Sequence, residues 1–377
     1  MRMSEQGDEI NSKENMTDYY SACLSGEAVV FRGDGEPRLA ATTLQNMQDL
    51  DPSFDDEDSY SVGGTVEKLE IKFADMLGKE SAVFMPTGTL ANHIAIRKLC
   101  GINQKAIVPE QSHLYNDSGD TVTRLSGINL VPLGRNLICF SIDELRDYVE
   151  RMEQARVSTQ IGAVMIESPV RRQQGQVVSF EQMEEITQFC SERGYGTHLD
   201  GARLYMMSGA TGIPPRDYVA MFDTVYVSLY KYFGAPFGAI LAGPSELLKD
   251  VYHERRMFGG SLSSSYIAAA LALKESGSFE PKFKESMQRA SDLIKALAKL
   301  PQISIKTFDN GSNIFLATLN KTIDVDAFVL SLQRRMIFVY KDDTNPFQIN
   351  ITINPTILRR SAEELLASFK QAFTEAS

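Results

Sequence analysis

Lys231 lies in the run Val225-Tyr226-Val227-Ser228-Leu229-Tyr230-Lys231-Tyr232-Phe233-Gly234-Ala235-Pro236, a lysine among aromatic and aliphatic side chains. Most lysines are solvated, and that reading holds for any one taken alone. Apolar surroundings lower an ammonium pKa, however, and favour the neutral amine that forms a Schiff base with a carbonyl. A second candidate is His198-Leu199-Asp200-Gly201-Ala202-Arg203-Leu204, where the Asp200 carboxylate ends an apolar run. An Asp200–Arg203 ion pair closing a strand end is the plain alternative. The third is Met85-Pro86-Thr87-Gly88-Thr89-Leu90-Ala91-Asn92, a glycine-containing turn between an apolar run and a helical pattern. Such a turn offers backbone N–H groups to an anion, or serves as an ordinary turn and cap.

An anion cradle, a strand-end carboxylate and a lysine in apolar surroundings, in that chain order, are the parts a pyridoxal-phosphate site needs. The cradle anchors the phosphate, the amine meets the aldehyde, and the carboxylate keeps the pyridine nitrogen protonated so that the ring accepts electrons. The combination is far more specific than any of its parts.

The elements that must position these groups follow from periodicity. Residues 66–77 carry apolar side chains at helical spacing, with Gly78 as a stop signal. A short strand at 82–85, a turn at Pro86 and a helix at 91–99 follow. Further apolar runs at 106–108, 130–132, 162–166, 197–199, 224–229 and 239–242 are separated mostly by helical segments. Ser141 and Ser179 precede Glu144 and Gln182 by three residues, the spacing of a capping box. The alternation predicts an α/β fold, a mainly parallel sheet covered by helices, with ligands beyond the carboxyl ends of its strands. After Leu262 a long helical stretch leads toward Leu300. Strands at 303–307, 314–319, 337–340 and 347–353 then alternate with helices at 325–332 and 362–373, which predicts a small α+β domain. The expected division is a flexible extension over 1–25, a large domain over 26–262, and an interdomain helix with a small C-terminal domain over 263–377.

The chain has 377 residues and 43% hydrophobic content, enough to bury a substantial core. Its net charge of -11 comes without a dense basic block, which argues against a nucleic-acid partner and for a small metabolite. Four scattered cysteines without a CxxC pair, and four histidines not at ligand spacing, indicate neither a disulfide framework nor a metal site. No signal-like segment opens the chain and no run approaches the roughly 20 apolar residues of a membrane span, so a soluble, cytoplasmic protein is expected.

At these motifs the sequence resembles the L-threonine aldolase and β-eliminating lyase family, over roughly residues 60–260. The similar segments are Tyr60-Ser-Val-Gly-Gly-Thr-Val66, Met85 to Asn92, Ser112-His113, His198 to Leu204, Ser228-Leu-Tyr-Lys231 and Gly234-Ala-Pro236. The resemblance implies a three-layer fold of the aspartate-aminotransferase type (fold type I) and pyridoxal 5'-phosphate as cofactor. It makes Lys231 the Schiff-base lysine, Asp200 the pyridinium partner, and Gly88 and Thr89, beside Thr87, together with Ser228, the phosphate contacts. His113 would stack on the ring and act as a general base; without the resemblance it reads as a satisfied histidine at a helix start. Arg203 would hold the substrate carboxylate. Glu167 and Arg171 fall where similar sequences carry active-site-wall residues, although surface salt bridging also accounts for them. A homodimer or homotetramer is implied, with Tyr60 and Arg256 reaching across the interface; a solvated surface arginine is the alternative for Arg256.

Two departures bear on substrate. Where the family usually has Arg-Ser-Asp, this chain has Arg32-Gly33-Asp34, and where a carboxylate-binding arginine is common it has Gln348. The leading expectation is a lyase that cleaves the Cα–Cβ bond of a β-hydroxy-α-amino acid to glycine and an aldehyde. A second is β-elimination, decarboxylation or transamination of an atypical amino acid, which Gly33 and Gln348 favour. A third is a non-enzymatic binding protein of the same fold.

Overall fold

The computed structural model describes residues 13–50, 56–157 and 159–377. The start of the extension expected to be flexible, residues 1–12, lies outside them. The chain divides into two compact units, one of residues 47–284 and 308–314, the other of 285–307, 315–377 and the described residues up to 46.

The large unit is built on a seven-stranded sheet in the order 81–85, 239–243, 224–228, 196–200, 161–167, 105–109, 129–133. Strand Ala239–Gly243 runs antiparallel to both its neighbours, and the other six strands share one direction. Their carboxyl ends therefore emerge along one edge. Strands Ile161–Glu167, Thr224–Ser228 and Ala239–Gly243 are buried at every position, as a sheet covered on both faces requires. The mainly parallel α/β arrangement read from the sequence is thus the observed one.

Helix Gly64–Leu77 buries Val66, Leu69, Phe73 and Leu77 and ends at Gly78, whose φ of 65° places it in the left-handed region. Helix Gly88–Cys100 starts three residues before the apolar pattern does, because Thr87 caps it by accepting the Leu90 N–H at 3.2 Å. Ser141 and Ser179 also cap helices as their spacing predicts. The partner side chains turn elsewhere: Glu144 accepts the Gly134 N–H and Gln182 donates to the Phe140 carbonyl. The long helical stretch after Leu262 is two helices, Tyr266–Ser276 and Phe279–Leu297, interrupted at Gly277 and Ser278. The break lets Phe279 stack on Phe283 and meet Tyr205, Tyr232 and Phe233.

In the small unit a four-stranded sheet, ordered 340–341, 348–352, 314–319, 303–306, accompanies helices Val325–Gln333 and Ala362–Glu375. Phe328, Phe369 and Phe373 form the centre of its core. The boundary near residue 26 falls differently from expectation. Val29–Val30 pair in parallel with Ile337–Phe338, and Asn354 and Thr356 bind the Val30 backbone, so residues up to 46 belong with the small unit. A two-residue strand has no periodicity to detect. Residues Lys13–Leu24, part of the expected extension, form a helix. Ala22 and Cys23 are buried against Val30 and Phe338, and Tyr19 meets Phe338 edge-on, so tertiary packing holds a segment whose own pattern is weak.

Candidate active site

Thr87, Gly88 and Thr89 follow the first strand of the large sheet, Glu167 and Asp200 end two adjacent central strands, and Ser228 ends the next. Glu167 and Asp200 are cross-strand partners in register. The shared strand direction thus brings the cradle, both carboxylates and the serine that precedes Lys231 to one edge of the sheet, where open α/β sheets bind ligands.

Asp200 is 2% exposed and accepts two hydrogen bonds, from the Asn92 amide at 2.6 Å and the Ala202 N–H at 3.1 Å. Both donors are neutral. Arg203 is half-buried at the start of helix Leu204–Thr211, near enough to Glu167 to favour its ionised form.

Glu167 is buried and uses both oxygens, accepting the N–H of His113 at 2.5 Å and of Arg171 at 3.2 Å. Burial and the neighbouring Asp200 push its carboxyl well above the usual range, against the pull of those N–H groups and of Arg203. One side chain therefore ties the start of the His113–Asn116 turn of helix to the start of the Arg171–Gln173 turn. A two-pronged Arg172–Asp117 ion pair joins the same segments again. Arg171 itself is exposed.

Burial lowers the pKa of His113; the Asp200 charge opposes this, while Lys231 and Arg171 add to it. Its imidazole therefore favours the neutral form, with a free ring nitrogen able to accept a proton. Lys231 is partly buried, its Nζ 5.7 Å from the Tyr230 ring centre. Asp200, Lys231 and Arg171 each lie near enough to His113 to influence its charge.

The cradle is shaped by close approach. A Cβ on Gly88 would stand 2.0 Å from the Tyr226 hydroxyl, so only glycine fits. With the Leu90 N–H taken by Thr87 and that of Ala91 by the Thr87 carbonyl, the N–H groups of Gly88 and Thr89 face out of the helix start. Ser228 is fully buried and its hydroxyl makes no normal hydrogen bond, although the Tyr226 hydroxyl is close enough to interact with it.

Tyr60 and Arg256 meet each other. Tyr60 is 51% exposed with φ 53°, and the Arg256 guanidinium lies 5.1 Å above its ring. The buried arginine is its neighbour Arg255, which donates to the carbonyls of Phe84 at 2.6 Å and Ser61 at 2.8 Å. In the small unit Gly33 has φ 80° and open space around it, and the Gln348 amide oxygen accepts from Asn345. Among the described residues no group of histidine, cysteine and acidic side chains could hold a metal ion, and no helix is long and apolar enough to cross a membrane.

Sequence reasoning passed over His198 and Thr224 and gave Asn92 no role beyond its motif. His198 binds Asn92 Oδ1 at 2.9 Å and Thr224 Oγ1 at 2.8 Å. Strand geometry carries the missed signal: positions 198 and 200 face the same side of one strand, and Thr224 pairs with His198 in register.

Residues 41–319 match the beta-eliminating lyase family. The chain belongs to that family. Low-specificity L-threonine aldolase 1 of Arabidopsis thaliana is 23% identical over 321 residues, which is 84% of this chain and 89% of the relative. A structure described as an L-allo-threonine aldolase, from Listeria monocytogenes EGD-E, is 26% identical with a TM-score of 0.76, covering 95% of this chain and 99% of its own. SPT solved with pyridoxal phosphate is 14% identical with a TM-score of 0.64, over 92% and 87% of the two chains, and is alike in fold alone. The fold is accordingly that of the type I pyridoxal-phosphate enzymes, as the resemblance implies.

The residues present fit that cofactor. Ser228 offers a buried hydroxyl in need of a partner, Gly88 leaves the room a side chain would fill, and Asp200 is a buried carboxylate held by an amide and a backbone N–H. A phosphate and a ring N–H are the complements these groups call for.

Proposed function

We propose that this beta-eliminating lyase family member cleaves the Cα–Cβ bond of a β-hydroxy-α-amino acid to glycine and an aldehyde, as a threonine-aldolase-like lyase with pyridoxal phosphate held by Lys231. The observation that carries the reading is the gathering of Lys231, Asp200, His113 and the Gly88–Ser228 cradle around one edge of the sheet. Bound there, pyridoxal phosphate supplies an electron sink for the bond broken at Cα. Asp200 holds a negative charge that favours a protonated ring nitrogen. Gly88 and Thr89 present N–H groups, and Thr87 and Ser228 hydroxyls, to the phosphate. His113, neutral and fixed through Glu167, accepts the β-hydroxyl proton at an imidazole nitrogen. Arg203 binds the substrate carboxylate, with Glu167 and Arg171 on the wall beside it.

The active form is a homodimer or homotetramer in the cytoplasm, and Tyr60 and Arg256 serve the partner subunit's site. Their exposure and mutual stacking support that role. Small amino acids are the partners; the acidic net charge speaks against nucleic acid.

A second reading, β-elimination, decarboxylation or transamination of an atypical amino acid, draws on Gly33 and Gln348, which offer no hydroxyl and no cation where the family commonly has them. The two are separated by incubating the protein with threonine, allo-threonine and phenylserine and measuring glycine and aldehyde. Stoichiometric release from any of them is expected. Keto acid, ammonia or carbon dioxide from amino acids, with no aldehyde from the three, overturns the first reading.

A further inference from the structure

Asp200 is one end of a chain of buried side chains: Asp200 Oδ2 to Asn92 Nδ2, Asn92 Oδ1 to His198 Nε2, His198 Nδ1 to Thr224 Oγ1, at 2.6, 2.9 and 2.8 Å. All four residues are 2% exposed or less, so no water competes for these contacts. We propose that Thr224, His198 and Asn92 are positioning residues, a one-way hydrogen-bond relay whose direction is set by the Asp200 charge and which keeps that charge fixed toward the cofactor.

The direction follows from what each group can do. An ionised carboxylate only accepts, so Asn92 must show it the amide N–H. That leaves Asn92 Oδ1 toward His198, which must donate from Nε2. A neutral imidazole has one N–H, so Nδ1 is the acceptor and the Thr224 hydroxyl donates to it. Burial supports the neutral form, pushing the His198 pKa down to about 4 against the pull of Asp200 and of a hydrogen bond to the Thr224 backbone. Every member of the relay is uncharged. It therefore steadies the carboxylate without neutralising it, and the full charge is available to a protonated ring nitrogen, a step that rests on the cofactor reading above.

The same logic predicts a reversal. In Asp200→Asn the residue keeps its oxygen toward the Ala202 N–H and turns its amide N–H to Asn92. Asn92 must flip, its N–H then faces His198 Nε2, and the histidine must move its proton to Nδ1. Only four histidines occur in the chain, His93, His113, His198 and His253, so spectra of the full-length protein labelled with nitrogen-15 at histidine are resolvable.

The expected result at pH 7, with and without added pyridoxal phosphate, is a neutral Nε2–H imidazole at His198 in the parent and an Nδ1–H imidazole in Asp200→Asn. A charged His198, an Nδ1–H parent, or an unchanged tautomer in Asp200→Asn overturns the relay. A second arm titrates pyridoxal phosphate into His198→Leu and His198→Gln. The leucine leaves Asn92 Oδ1 unpaired and should weaken binding roughly ten- to a hundred-fold, whereas the glutamine amide can still donate and should restore most of it. Equal affinity of the two overturns the positioning role. A parent that binds no pyridoxal phosphate would refute the functional reading instead, and the tautomer result distinguishes that failure from failure of the relay.

Discussion

Glu70 and Asp200 are both largely buried carboxylates of the large unit, but their surroundings answer the charge in different ways. Glu70 accepts the Phe84 N–H at 2.7 Å, and the fully buried Arg255 donates to the carbonyl of the same residue, so a carboxyl and a guanidinium bracket Phe84 and each feels the other. Around Asp200 the donors are an amide and a backbone N–H. The first site sets its carboxylate near a cation of the same chain; the second holds its carboxylate with two neutral donors. Two buried carboxylates can thus be met differently, one near an arginine and one by neutral donors, and under the function proposed here only the second serves a cofactor.

The comparison breaks first, and hardest, at Arg255. Arg255→Met should lower unfolding stability by about 3–5 kcal/mol in denaturant titrations, because it strips one member from a buried charged network. Loss under about 1 kcal/mol would make Arg255 a bystander. Asp200→Asn should do the opposite: unfolding of the cofactor-free chain should change by about 1 kcal/mol or less, while pyridoxal-phosphate affinity falls on the order of a hundred-fold. A large stability loss there would place Asp200 with Glu70.

Glu70 sharpens the contrast through pH. Burial raises its pKa to about 7 from an ordinary 4.5, so between those values the folded state holds a proton that the unfolded state has released. Stability contributed by this group is present below about pH 4.5 and is lost as pH rises toward 7. Glu70→Gln should therefore gain unfolding midpoint relative to the parent as pH climbs through that window, and a constant difference would contradict the assignment. The smallest effect is expected next door: Arg256→Ala should shift stability by within about 0.5 kcal/mol, since its guanidinium lies over an exposed ring. A loss as large as that of Arg255→Met would erase the distinction between the two arginines.

Most of the large unit was legible because a buried parallel sheet writes itself as short apolar runs punctuated by caps; Ser141 and Ser179 cap helices and Gly78 ends one, though neither capping box closes. The strand-end residues Asp200 and Ser228 were legible for the same reason. What stayed hidden depends on contacts distant in sequence. Val29 and Val30 become a strand only when Ile337 and Phe338 arrive, and helix Lys13–Leu24 is held by Phe338 rather than by its own pattern. In the pair Arg255–Arg256, alternation alone could not say which one enters the interior. His198 and Thr224 looked like ordinary strand residues until register placed them opposite each other.

The central claim is that the amine of Lys231 carries the cofactor. Borohydride reduction of the protein as purified with pyridoxal phosphate, followed by peptide mapping by mass spectrometry, tests it directly. The account predicts one pyridoxyl adduct, on Lys231, that disappears in Lys231→Ala; an unlabelled protein, or an adduct that survives the substitution on another lysine, would contradict it.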